Sequence, residues 1–143
     1  MNEQAVSTAI DIDEAKRVIE NSDKELVSAM LVSSGIRTCM TGYEYLKMAV
    51  QLYKACGGVM EEIKKVIGEI YSTNQAAIEK DMRKALKDAA TRDVTDHFNV
   101  RIGCNVLQSG RKTIKAKEYV AMLAEYLEMP EVHSLFCLPK KEE

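Results

Sequence analysis

The sequence predicts an all-α protein, a single compact domain of about six helices that contains a helix-turn-helix. Two observations predict it. Only two prolines occur in 143 residues, Pro130 and Pro139, both near the C-terminus, so nothing earlier forces helical backbone to break. Apolar residues recur at three-to-four-residue intervals over most of the chain, the helical period, rather than alternating as strands do. A chain of this length fits one domain and can bury roughly two-thirds of its unfolded surface without disulfide or metal staples.

A first helix is predicted from Ile12 to Glu20, with Asp11 or Asp13 accepting hydrogen bonds from its orphan amides. A second begins at Ser22, where Ser22 and Glu25 have the spacing of a capping box, and runs through Leu26, Met30 and Leu31 until Gly35 stops it. Thr41 and Glu44 repeat that spacing before GYEYLKMAVQLYKAC, whose Tyr45, Leu46, Ala49, Val50 and Tyr53 form one apolar stripe. Gly57 and Gly58 end this helix; lacking further glycines and a Lys-Ser/Thr pair, they are a helix stop rather than a phosphate loop. Met60 to Tyr71 is a shorter helix with Ile63, Val66, Ile67 and Ile70 inward, and Ser72-Thr73-Asn74 make the turn to the next. DVTDHF can form a short helix capped by Asp93, NVRIGCNVLQSGRKTIKAK reads mostly as loop, and Tyr119, Val120, Leu123, Ala124 and Leu127 mark a last helix.

Composition excludes several function classes. The four cysteines, Cys39, Cys56, Cys104 and Cys137, lie far apart, and His97 and His133 stand at no zinc spacing, so the cysteines read as free buried thiols and no metal or cofactor is predicted. The N-terminus has no basic start followed by an apolar run, and no stretch approaches the ~20 apolar residues of a membrane helix. These features predict a cytoplasmic protein with no membrane partner. No Ser/His/Asp or Cys/His set has a spacing that nominates a catalytic site, so an enzyme is not predicted.

Charge divides along the chain. Residues 1–26 have seven acidic side chains against three basic, a net of −4, and residues 118–143 have six against two, again −4, although the whole chain is only −2. Residues 27–117 therefore hold 15 Lys and Arg against nine Asp and Glu. A basic centre between acidic ends points to an anionic partner.

The centre of that region is STNQAAIEKDMRKALKDAATR, residues 72–92. At ~100° per residue, Ile78, Met82, Ala85, Leu86 and Ala89 gather on one side of a helix. Lys80, Arg83, Lys84 and Lys87 occupy an arc of about 100° on the other, and Glu79, Asp81 and Asp88 fall at its margins. Lys and Arg also solvate ordinary exposed helix faces, and Glu79 supports Arg83 at i,i+4. The start of this helix nonetheless has features suited to a large surface. Ala76 and Ala77 allow close approach, and Thr73, Asn74 and Gln75 place short polar groups at the positive end of the dipole. A short helix, a short turn and then this helix is the layout whose second helix enters the DNA major groove. The following loop adds Arg111, Lys112, Lys115 and Lys117, suited to phosphate contacts.

LVSAMLVSSGIRTCMTGYEYLKMAVQLYK resembles the opening of the C-terminal, DNA-binding domain of the stage zero sporulation master regulators of endospore-forming bacteria. The shared features are a helix ending at Ser34-Gly35-Ile36, a short loop, and Gly42-Tyr43-x-Tyr45-Leu46 leading the next helix. With the basic helix and KAKEYVAMLAEYLEM, the resemblance covers roughly residues 25–129. It implies a six-helix fold with an internal helix-turn-helix that binds tandem promoter sites as a dimer, with a recognition helix on Asn74 to Ala89. Glu79 keeps the family's Glu, Lys80 stands at an Arg, Arg83 keeps an Arg, and Lys84 stands at a His. Ala77 replaces a first-turn Arg, and the preceding helix and turn are about three residues shorter.

The resulting expectation is a sequence-specific DNA-binding transcriptional regulator whose helix from Gln75 to about Ala90 lies in the major groove of double-stranded DNA. Asn74 at the helix start is counted with the DNA-binding residues; Gln75, Glu79 and Lys80 reach base edges, and Arg83, Lys84, Lys87, Lys112, Lys115 and Lys117 lie nearer phosphates. The domain division is an acidic extension over 1–24 with a short helix, an effector domain over 25–129 and a tail over 130–143. Family members have a phosphoacceptor receiver ahead of this domain; here about 25 residues precede the match, which reads as a stand-alone effector or as a fragment. The alternative function is a protein-interaction and dimerisation module of the same fold that modulates a full-length regulator, favoured by Ala77, the shortened turn and the acidic pI of 5.8.

Overall fold

The computed structural model describes residues 11–91 and 115–130. Among them are six α-helices and no strand: α1 (Ile12–Asn21), α2 (Lys24–Ser33), α3 (Thr41–Leu52), α4 (Met60–Tyr71), α5 (Gln75–Thr91) and α6 (Ala116–Leu127). The all-α class predicted from periodicity is the observed one. The DVTDHF helix, most of the basic loop with Lys112, and the C-terminal tail lie outside the described residues.

The six helices assemble around α3, which touches all five others. Its sequence permits this because its apolar positions extend beyond a single stripe. Gly42, Tyr43, Tyr45, Leu46, Ala49, Val50, Gln51 and Leu52 are all buried, the pattern of a helix enclosed on most sides. Burying a leucine such as Leu46 contributes about 1.5–3 kcal/mol, and Leu26, Leu31, Ile63, Ile67, Ile78, Met82, Tyr119 and Leu123 join the same core with no exposed surface. The helix α1 is part of it: Ala15 is fully buried and Ile12, Val18 and Ile19 pack against the core, through contacts with α3 and α4.

Two capping boxes do not form as the sequence suggested. The N-cap of α2 is Asp23, whose carboxylate accepts from the Leu26 amide at 3.1 Å. Ser22 instead closes α1, donating to the Ile19 carbonyl at 2.8 Å and accepting from the Gln51 side chain of α3 at 2.7 Å. Thr41 is the first residue of α3 rather than its cap; Met40 precedes it and makes no side-chain cap bond. Of the two candidates, Asp11 and Asp13, it is Asp11 that caps α1, accepting from the Glu14 amide at 2.8 Å. The third helix is also shorter than its apolar stripe: it ends at Leu52, and turns through Gly57 and Gly58, both at positive φ, lead to α4. Cys56 is buried as expected of a free thiol, whereas Cys39 is exposed.

The end of α2 is tied to α6 by a buried pair. Ser34 Oγ donates to the Leu31 carbonyl at 2.9 Å, which leaves the Tyr119 hydroxyl to donate to Ser34 across 2.5 Å. Tyr119 is fully buried, and this bond satisfies the one polar atom of its side chain.

Candidate nucleic-acid interface

The helix pair α4–α5 and the turn between them form a helix-turn-helix. Ser72 takes the left-handed conformation, φ 57°, which reverses the chain, and the Thr73 amide donates back to the Gly68 carbonyl at 2.9 Å. Glycine at position 68 makes the turn tight: a Cβ there would lie 2.7 Å from the Thr73 carbonyl oxygen. The Asn74 side chain accepts from the Ala77 amide at 2.8 Å, so its oxygen is committed to capping α5. Tyr71, at the end of α4, meets the edge of Tyr45 on α3 with ring centroids 5.3 Å apart at 73°. Such a pair adds about 0.5–1.5 kcal/mol beyond area burial and anchors the turn to the central helix.

The faces of α5 divide as the helical wheel predicted. Ile78, Met82, Ala85, Leu86 and Ala89 are buried, while Lys80, Arg83, Lys84 and Lys87 are exposed on the opposite side, with Gln75 and Ala76 exposed in the first turn. The buried side rests on α3 and α4. Gly42, from the Gly-Tyr-x-Tyr-Leu segment, lets α3 and α5 approach: a Cβ on it would stand 2.8 Å from the Ala85 Cβ and run into the Asp81 carbonyl. The neighbouring Tyr43 hydroxyl donates to Ser28 Oγ of α2 at 3.0 Å. The most specific part of the resemblance is thus the segment that seats α5.

Two of the three carboxylates at the margins of the basic arc, Asp88 and Glu79, are paired with cations. Asp88 receives two bonds from the Arg37 guanidinium in the α2–α3 loop, Nε at 3.0 Å and Nη2 at 2.5 Å, and this pairing raises the Arg37 pKa above its ordinary value. Glu79 lies between two cations, Lys64 of α4 at 3.4 Å from Oε1 and Arg83 at 3.7 Å from Oε2. Both arrangements cancel negative charge beside the arc. Arg83, Glu79, Lys115 and Lys117 also line one groove of about 720 Å³ between α4, α5 and the start of α6, floored by Met60 and Met82. The structure therefore places Lys115 and Lys117 beside the same groove as Arg83, whereas Lys112 lies outside the described residues.

Lys64 was not among the sequence candidates. A signal for it existed: on a helical wheel it falls between Met60 and Gly68, within the buried arc of α4, which is an unusual place for a lysine without a partner. Among the described residues no group of three or more His, Cys, Asp or Glu could hold a metal ion, and no helix is long and apolar enough to cross a membrane.

A comparison with curated proteins gives no match. The profile of the family described as "Sporulation initiation factor Spo0A C terminal" matches residues 27–127, from the first turn of α2 to the last residue of α6. That span covers the helix-turn-helix, the Gly42 contact and the basic arc. The chain therefore belongs to the sporulation initiation factor Spo0A C-terminal family, a family of DNA-binding sporulation regulator domains rather than of enzymes.

Proposed function

We propose that α5 is the recognition helix of a sequence-specific transcriptional regulator and enters the major groove of double-stranded DNA by its N-terminal half. The observation behind this reading is the exposed arc of Lys80, Arg83, Lys84 and Lys87, set opposite a fully packed seam, with two of its three bordering carboxylates, Glu79 and Asp88, already paired with cations. Gln75, Glu79 and Lys80, nearest the helix start, reach base edges; Arg83, Lys84 and Lys87, with Lys112, Lys115 and Lys117, meet phosphates. The small side chains of Ala76 and Ala77 let the capped start approach the bases. Residues 25–129 are the effector unit, which acts in the cytoplasm and binds as a homodimer on DNA.

A gel-shift assay on duplex DNA tests this. The wild-type chain binds, the complex weakens steeply with added salt, and a Lys80→Ala, Arg83→Ala double variant loses most of its affinity. Equal affinity of the double variant would remove the basis of the assignment. Absence of DNA binding at low salt, together with a stable complex with a full-length regulator, would instead favour the interaction-module reading.

A further inference from the structure

Resting on the reading of α5 as the recognition helix, we infer that Lys64 of α4 is a positioning residue for DNA recognition, holding the Glu79 carboxylate in the orientation that reads bases. The Lys64 side chain is only 12% exposed, against 54% for Glu79. Its stem lies in the groove floored by Met60 and Met82. A stem held in this way limits where the ammonium can reach, so a carboxylate within that reach is its natural partner. Glu79 is that partner, 3.4 Å away across the helix-turn-helix.

The geometry leaves Glu79 able to act. Each carboxylate oxygen has two lone-pair directions, and here each meets one cation, Lys64 on Oε1 and Arg83 on Oε2. A free direction on each oxygen remains for a donor such as the cytosine amino group. Two flanking cations also offset the repulsion between this carboxylate and the phosphate backbone. The first helix of the pair thus acts through Glu79 on sequence choice, without touching a base itself.

The test uses duplexes that the wild-type chain selects from a random pool. The measured quantity is the ratio of affinities for the selected duplex and a scrambled duplex of equal length. Lys64→Met and Glu79→Gln each lower this ratio about fivefold or more, while Lys64→Arg retains it. In the Glu79→Gln background, Lys64→Met lowers the ratio no further, a coupling that a merely structural role would not produce. Thermal unfolding accompanies each variant, and Lys64→Gln is read in the same way if Lys64→Met does not fold. A ratio unchanged by Lys64→Met but lowered by Glu79→Gln overturns this inference alone, as does a Lys64 effect that persists without Glu79. A wild-type chain that selects no sequence overturns the recognition-helix reading itself.

Discussion

Gly42 of α3 and Ala85 of α5 meet at a helix crossing that has no room for another side chain. A Cβ on Gly42 would lie 2.8 Å from the Ala85 Cβ and would also strike the Asp81 carbonyl, which is rigid backbone. Gly42→Ala therefore pushes α5 away from the central helix and costs about 1–3 kcal/mol, the range for overpacking a well-filled site. Urea unfolding measures the loss, and DNA affinity falls with it because the basic arc is displaced. A variant as stable as the wild type would show that α3 and α5 separate freely.

Asn74 sets the start of α5. Its side chain satisfies the Ala77 amide, so Asn74→Ala lowers stability by about 1 kcal/mol, while Asn74→Asp, which keeps the acceptor, retains most of it. Denaturant unfolding of the two variants checks the difference.

Tyr119 gives the fold an alkaline limit. Burial pushes its hydroxyl well above the ordinary tyrosine range. The unfolded chain loses this proton from pH ~10 while the folded chain keeps it. The unfolded state then binds fewer protons, so stability is fully present below that pH and falls as pH rises above it. Tyr119→Phe costs about 1 kcal/mol near neutrality through the lost hydrogen bond and makes the alkaline decline shallower. Unfolding curves from neutral pH to pH ~11 test both parts.

Much of this architecture was legible in the sequence because it rests on local pattern. The seam of α5, the inward residues of α4 and the turn at Ser72 to Asn74 all follow from helical period and turn chemistry. The misassigned caps fail for a different reason. In NSDKEL the residues Ser22 and Asp23 both have cap chemistry, and the choice is made by Gln51, 29 residues away, which takes the Ser22 hydroxyl. Glu79 was legible as a partner of Arg83 at i,i+4, but its pairing with Lys64 crosses the turn and depends on how α4 packs on α5. The Gly42 motif was legible as a resemblance; the crossing with α5 that requires glycine is visible only in three dimensions.

The salt dependence of DNA binding tests the central claim most directly. If the exposed arc of α5 meets phosphates, the logarithm of the binding constant falls linearly with the logarithm of salt concentration, and Arg83→Ala, Lys84→Ala and Lys87→Ala each reduce the slope by about 1. Lys16→Ala, an exposed change on α1, leaves slope and affinity unchanged. Binding that is indifferent to salt, or slopes that the three arc variants leave at the wild-type value, would contradict the account.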